Sequence, residues 1–273
     1  FFPIFAPMAL AQHASIDLRW QQQVENARTY VLPFIEKGIT IGADTRVMEI
    51  GCGEGGVLVP FVEKGAFCMG VDLSPSRIEH ARRLQSEQIA QGKAHFVTQN
   101  VYDADFLAEH KGSFDLIMLK DTIEHIPDQE KFIPYLKEFL VPGGLIFFGF
   151  PPWYMPFGGH QQICSSKLLG YLPYYHLLPT FLYRGILNLA KEHKGTVKEL
   201  MDIKSTGISL HRFERIIRQS GLSIVHHTLF FINPIYRYKF GLKPRKQLNI
   251  IRAIPVFRDF VSTAGWYLVG REK

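Results

Sequence analysis

Val47-Met48-Glu49-Ile50-Gly51-Cys52-Gly53-Glu54-Gly55-Gly56 reads as a short apolar strand running into a glycine loop and then a helix. Glycines in such a turn permit a tight bend and let backbone N–H groups approach a ligand at a helix N-terminus. Gly51, Gly53 and Gly56 satisfy G-x-G-x-x-G, and Asp72 follows about twenty residues on, where an acid holds ribose hydroxyls in a dinucleotide site. Glu49, two residues before the first glycine, points elsewhere. A carboxylate there suits a ligand with a cationic amino-acid end better than a pyrophosphate.

Working outward, short apolar runs alternate with helical patterns. Arg46–Ile50, Phe67–Asp72, Ala94–Thr98, Phe114–Leu119 and Leu145–Phe150 read as strands, with Ser76–Ala90 and Gln129–Leu140 as the clearest helices between them. Wholly apolar strands separated by helices imply a parallel sheet covered on both faces. Before the core, Trp20, Val24, Ala27, Val31 and Phe34 or Ile35 recur at helical spacing despite Pro33, predicting an amphipathic helix over 12–37. After Phe150 the sequence becomes rich in Pro, Gly and aromatics, then helical from about Ser165 to Met201. A helix at Leu210–Ser220, capped by Ser209 and stopped by Gly221, precedes strands near Leu222–Phe230 and Ala264–Gly270. The expected fold is α/β: a doubly wound, mainly parallel seven-stranded sheet with a helical, aromatic-rich insertion after strand five. The organisation is a single domain over 1–273, with a core at 45–150, a lid or acceptor insertion at 151–205 and the end of the sheet at 206–273.

Composition sets the class. The chain has 273 residues, 47% hydrophobic and 21% charged, which suits a packed core rather than disorder. Cys52, Cys68 and Cys164 form no C-x-x-C pair, and an odd count does not suit a disulfide framework, so a reducing, cytoplasmic setting is expected. A net charge of +6 favours anionic partners such as phosphorylated substrates, RNA or lipid headgroups without choosing among them. No apolar run approaches the roughly eighteen residues needed to span a bilayer, which leaves a soluble or peripheral protein as the expectation. Phe1 to Ala11 is apolar and ends Ala9-Leu10-Ala11 like a leader cleavage site, but no basic region precedes it, and a buried or site-covering segment is the expected reading. The chain begins at Phe1 rather than methionine, which leaves a longer N-terminus open.

The glycine stretch resembles motif I of the class I, Rossmann-like S-adenosylmethionine-dependent methyltransferases. The resemblance extends through Val71-Asp72-Leu73-Ser74, Phe96 to Asp103, Phe114 to Asp128 and Leu140-Val141-Pro142-Gly143-Gly144, covering roughly residues 45–150. It implies S-adenosylmethionine as cofactor. It assigns Glu49 and the loop of Gly51, Cys52, Gly53 and Gly55 to the methionine moiety, and Asp72, with Leu73 beside it, to the ribose. Asn100 takes the place of the common acid after strand three and, with the Val101 backbone, would contact adenine, since an amide oxygen still accepts from the adenine amino group. Asn100 also suits a plain turn. Lys120, just beyond strand four, would line the methionine end.

Asp121-Thr122-Ile123-Glu124-His125, followed by His160, carries a second signal. If Asp121 begins a helical turn, Glu124 and His125 lie at i+3 and i+4 on the same side. This looks like the acid-x-x-Glu-His and downstream His of the ubiquinone-biosynthesis O-methyltransferases and the small-RNA 3′-terminal 2′-O-methyltransferases. In those families a divalent metal such as Mg²⁺ orients the acceptor oxygen and lowers its pKa. The resemblance makes Asp121, Glu124, His125 and His160 the ligand set, with His160 and His125 catalytic, although Asp121 is a shorter arm than the usual Glu. Without a metal, Glu-His shapes the loop and His160 acts alone as general base.

Pro151 to Phe157 and the later Tyr171, Tyr174, Tyr175, His176, Phe181 and Tyr183 are expected partly as core and partly as an acceptor wall. The basic stretch Tyr236 to Arg252 reads as a solvated face, with a phosphate or membrane contact as the alternative. The reading is O-methylation of a small-molecule or lipid-like hydroxyl acceptor. Its rivals are RNA 2′-O-methylation, disfavoured by the absence of a recognisable RNA-binding module, a cofactor-binding protein without transfer activity, and a nicotinamide-dependent oxidoreductase on the same glycine loop.

Overall fold

The structure, a computed structural model, describes residues 16–271. The expectations for Phe1–Ala11, and for the first residues of the 12–37 helix, lie outside the described residues. From Ile16 the predicted helix is present as α1 (Ile16–Asn26), passes through a π-helical turn at Ala27–Val31 and ends in Leu32–Ile35. Pro33 has no N–H to donate and its ring crowds the carbonyl one turn back, so the widened turn is its local consequence.

The core then runs β1 (Arg46–Ile50), α2 (Val59–Glu63), β2 (Phe67–Asp72), α3 (Pro75–Leu84), β3 (Ala94–Thr98), α4 (Ala104–His110), β4 (Phe114–Lys120), α5 (Gln129–Tyr135) and β5 (Leu140–Phe150). Beyond β5 come α6 (Thr180–Leu189), α7 (Lys194–Thr206), α8 (Leu210–Gln219), β6 (Leu222–Ile232), α9 (Tyr236–Phe240), β7 (Arg245–Lys246) and β8 (Ala264–Arg271). One sheet holds eight strands in the order β3-β2-β1-β4-β5-β8-β6-β7. The first five are parallel, and β8, β6 and β7 join antiparallel. The expected seven strands are therefore eight. The addition is β7, two exposed residues on the sheet edge, too short and too polar to show a strand period.

Alternation along the strands divides the core. On β4, Ile117 and Leu119 enter a cluster with Phe132, Leu136, Phe213 and Ile217, while Leu116 and Met118 face the opposite cluster with Val31, Phe61 and Ile78. Parallel strands buried on both faces need this two-sided apolar pattern. α8 follows its predicted signals: the Ser209 hydroxyl accepts from the Arg212 N–H at 3.1 Å, Phe213, Ile216 and Ile217 are buried, and Gly221 at φ +63° turns the chain away.

The helical stretch expected from about Ser165 to Met201 is present in pieces. It holds a short helix at Lys167–Tyr171, then α6 and α7, around its own cluster of Cys164, Leu169, Tyr175, Tyr183, Leu187 and Leu200. All three cysteines are free and buried. No helix among the described residues is long and apolar enough to cross a membrane.

The strand order reverses between β1 and β4, which places a crevice at their carboxyl ends. Glu49 at the end of β1 and Lys120 at the end of β4 both lie there.

Candidate active site

The glycine loop leaves β1 with left-handed residues at Gly51 (φ +72°), Gly53 (φ +54°) and Gly55 (φ +73°). A Cβ on Gly51 would lie 2.5 Å from the Thr122 methyl, and one on Gly55 would lie 2.5 Å from the Phe96 ring. Both positions are therefore closed to side chains by space as well as by backbone conformation. The Gln85 amide, itself buried, donates to the Gly55 carbonyl at 2.8 Å. Above the loop, Arg19 of α1 reaches Glu54 at 2.5 Å, so the N-terminal helix is clamped onto the turn. Asp72, at the end of β2, accepts from the Gly53 N–H and the Ser74 N–H, each at 2.9 Å. Each of its oxygens keeps a lone pair for a further donor.

Glu49 is only 1% exposed and its Oε2 has no hydrogen-bond partner among the described residues. Burial pushes its carboxyl well above the ordinary range, Lys120 partly offsets this, and Asp72 adds to it. Lys120 is buried and ion-paired to Asp121. A cationic group entering beside Glu49 would meet an unsatisfied carboxyl, which is the charge pattern an α-ammonium requires.

Asp121 is not the start of a helical turn. It sits at φ +54° with its N–H held by the Gly149 carbonyl at 2.7 Å, and only Ile123–His125 form a 3-10 turn. That turn is fixed from outside: the Thr206 hydroxyl donates to the Glu124 carbonyl at 2.6 Å, and the Gln129 amide donates to the Ile123 carbonyl at 2.9 Å. One ligand atom each from Glu124, His125 and His160 lie within 4.8 Å of one another. Asp121 stands outside this group because its carboxylate goes to Lys120.

Glu124 is buried, and neither of its carboxylate oxygens has a hydrogen-bond partner among the described residues. Burial and then Asp121 push its carboxyl well above the usual range. His160 Nε2 lies 4.0 Å from Glu124 Oε1, and the His125 and His160 rings meet edge to face at 5.1 Å. Burial and the neighbouring His125 hold His160 down at about 4, so its imidazole is neutral at physiological pH. His160 also has a left-handed backbone (φ +55°). Its loop is pinned by buried His176, whose Nε2 lies 2.8 Å from the Trp153 carbonyl, and by Gln161, whose amide donates to the Pro156 carbonyl at 2.9 Å. Left-handed non-glycine residues cost on the order of 1–3 kcal/mol each and persist where the surroundings over-determine them. Here Asp121 and His160 flank one cavity.

That cavity has a volume of about 500 Å³ and opens beside Glu124 and His160. Met155, Phe157, Tyr171 and Phe240 supply apolar wall, and Lys239 and Arg19 bring cations to it. Of the aromatics expected at the acceptor, Tyr171 lines the cavity, Tyr175 and Tyr183 are core of the insertion, and Phe181 is 74% exposed. The solvated face expected over Tyr236–Arg252 is corrected at its start, since Tyr236 and Lys239 line the cavity. Asn100 turns its side chain to its own loop, its Oδ1 accepting from the Tyr102 N–H at 3.1 Å, while Val101 is core and Leu73 is exposed beside Asp72. Arg19, Glu54, Gln85 and Thr122 carry no spacing or motif of their own that marks them in the sequence. Only the glycine spacing hinted that something must fill the space beside the loop.

A family model for a methyltransferase domain matches residues 19–227. Among curated relatives, the chloroplastic tocopherol O-methyltransferase of Arabidopsis thaliana is 36% identical over 102 residues, 37% of this chain and 28% of that protein. A ubiquinone biosynthesis O-methyltransferase of Coxiella burnetii is 30% identical over 117 residues, 43% of this chain and 47% of the relative. Norajmaline N-methyltransferase of Rauvolfia serpentina is 37% identical over 101 residues, covering 37% and 34%. The match thus spans less than half the length of these relatives. Geranyl diphosphate C-methyltransferase from Streptomyces coelicolor A3(2) shares the fold at a TM-score of 0.55 and 17% identity, covering 88% of this chain and 77% of that one. With the family model covering most of the chain, and the glycine loop, Asp72 and strand order in place, the chain belongs to the class I S-adenosylmethionine-dependent methyltransferase family.

Proposed function

We propose that the protein transfers the methyl group of S-adenosylmethionine to a hydroxyl of an apolar small-molecule or lipid-like acceptor, with a divalent cation held by Glu124, His125 and His160. The observation that carries this reading is Glu124, a buried carboxyl with no partner on either oxygen, facing two imidazoles at the edge of a largely apolar cavity. A buried unsatisfied carboxyl is costly, and a cation would satisfy it. One carboxylate and two neutral imidazoles suit Mn²⁺, Fe²⁺ or Zn²⁺ at least as well as Mg²⁺, which prefers oxygen. When bound, the cation supplies Lewis-acid polarisation of the acceptor oxygen.

The chain's own residues supply the rest. Glu49 takes the α-ammonium of the methyl donor, with Lys120 nearby for its carboxylate, and the Gly51–Gly55 loop passes its backbone along the methionine part. Asp72 accepts from the ribose hydroxyls, and Asn100, Val101 and Leu73 border the adenine. The acceptor body fills the cavity behind Met155 and Phe157, which excludes water from the reacting oxygen and favours in-line approach to the sulfonium methyl. The new O–CH₃ bond forms as the S–CH₃ bond breaks, leaving S-adenosylhomocysteine, and the hydroxyl proton leaves to solvent or a base. His160 at about 4 is a weak base but a ready ligand, which favours the cation-holding role over general-base catalysis by His160 alone. Apolar enclosure favours a phenol, catechol or similar acceptor over RNA.

A screen of hydroxyl and amine acceptors, read by S-adenosylhomocysteine release with chelator and with Mn²⁺ or Mg²⁺ restored, tests the reading. Turnover of hydroxyl acceptors that chelation abolishes and metal restores is expected. Turnover of amines only, or turnover indifferent to chelation, overturns it.

A further inference from the structure

The 44 residues from Arg215 to Arg258 hold nine Lys and Arg and no Asp or Glu, in a chain whose net charge is only +6. Positive charge is therefore concentrated in this part of the sequence. Within it, Lys243, Arg245 and Lys246 are exposed and make no ion pair among the described residues. The segment that follows holds its apolar side chains out to solvent: Leu248 is 67% exposed, Ile250 71%, Val256 53% and Phe257 47%. Single exposed apolar residues are ordinary, but a run of them along ten residues is not.

The position matters. Arg245 pairs with Ile232 of β6, and both Ile232 and Leu242 line the 500 Å³ cavity. The basic edge thus adjoins the cavity wall, and the protruding apolar segment follows it directly in the chain. Burial inside the protein does not explain these side chains. The short helices at Asn249–Arg252 and Phe257–Val261 instead anchor their segment by other groups: Arg252 bonds His227 and Asn249, and Arg258 pairs with Glu214.

We propose that the face from Lys243 to Phe257 docks onto an anionic lipid surface. Leu248, Ile250, Val256 and Phe257 enter the boundary between headgroups and acyl chains, while Lys243, Arg245 and Lys246 meet headgroup phosphates. Nucleic acid would match the cations but leave the aliphatic side chains in water, whereas a bilayer interface satisfies both at once. Neither signal holds a protein on a membrane strongly by itself, and their combination is what such an interface requires. An apolar acceptor dissolved in the bilayer would then have a short path into the cavity.

Cosedimentation of the whole chain with vesicles tests this, using equal parts phosphatidylglycerol and phosphatidylcholine against phosphatidylcholine alone. The parent is expected to pellet with the anionic vesicles, to release as salt rises, and to bind the neutral vesicles weakly. Arg245→Glu with Lys246→Glu, and separately Leu248→Ser with Ile250→Ser, should each lower the partition coefficient roughly tenfold or more. Melting temperature and S-adenosylmethionine binding should stay at parental values, because these side chains are exposed and lie outside the site. If the parent fails to pellet, or both paired variants bind like the parent, the proposal falls. It falls equally if RNA binding is lost in the charge variant while vesicle binding is not, or if the parent is a dimer that Leu248→Ser with Ile250→Ser dissolves.

Discussion

Replacing Glu124 by methionine should make the metal-free chain more stable and remove its response to a divalent cation. In the free protein both carboxyl oxygens are buried without partners, and burial raises the carboxyl well above the usual range, which favours its neutral form. The penalty is then that of an unsatisfied neutral polar group, about 1–3 kcal/mol, rather than the larger cost of an uncompensated charge. Methionine has a similar length, keeps the space filled and needs no hydrogen bond. Taking about 2 kcal/mol, and roughly 2–4 °C per kcal/mol for a domain of this size, Glu124→Met should melt about 4–8 °C above the parent in chelator. A cation present at about 100 times its Kd would add about 2.7 kcal/mol to the parent alone, so the order of the two melting points narrows or reverses when Mn²⁺ is added. Glu124→Gln keeps an unsatisfied amide and should gain little. Thermal melts of the three proteins with and without cation read this directly. If Glu124→Met melts below the parent in chelator, or if it responds to Mn²⁺ as the parent does, Glu124 is not an unsatisfied ligand.

Asp72→Ala should weaken S-adenosylmethionine binding by about 1.5–3 kcal/mol, roughly ten- to a hundredfold, through loss of a charged acceptor, and calorimetry on a variant with native circular dichroism checks it. His160→Ala should lose roughly a hundredfold or more in S-adenosylhomocysteine release, through loss of a cation ligand, while cofactor affinity is retained, and equal loss of affinity would move His160 out of the acceptor side. Asp259, whose Oδ1 accepts from the first N–H of α8 at 2.5 Å, is raised from 3.8 to about 6, chiefly by burial. The folded state therefore holds its proton more tightly than the unfolded chain. The associated stability is fully present below 3.8 and is lost as pH rises through about 6, by up to about 3 kcal/mol. Asp259→Asn keeps the acceptor oxygen and should remove this slope, visible in urea unfolding of both proteins at about pH 4 and about pH 8; identical slopes would contradict the assignment.

The parallel half of the sheet is legible in the sequence because each of β1 to β4 is a brief apolar run stopped by glycine or a turn. The glycine loop and Asp72 are legible for the same reason, since their spacing is local. What cannot be read is what depends on chain segments meeting from far apart. Arg19 on Glu54 and Thr122 against Gly51 join residues 35 and 71 positions apart, and no periodicity encodes them. At Asp121 local spacing misleads: i+3 and i+4 would group it with Glu124 and His125 if the segment were helical. The left-handed backbone at Asp121 and its pairing with Lys120 break that geometry. α9 misleads in the opposite direction, because a Lys- and Arg-rich run looks solvated until packing turns Tyr236 and Lys239 toward the cavity. β7 is invisible because two polar residues carry no period.

The most direct test is calorimetric titration of the folded chain with S-adenosylmethionine, beside the nicotinamide cofactors, in two buffers of different ionisation enthalpy. Glu49 holds its proton unusually tightly in the free protein, and an α-ammonium placed beside it would drive that proton off. Saturable binding of S-adenosylmethionine with proton release, tightening as pH rises and reduced in Asp72→Ala, is expected, with no comparable binding of nicotinamide cofactors. Absence of S-adenosylmethionine binding by the folded protein, or preferential binding of a nicotinamide cofactor, would contradict it.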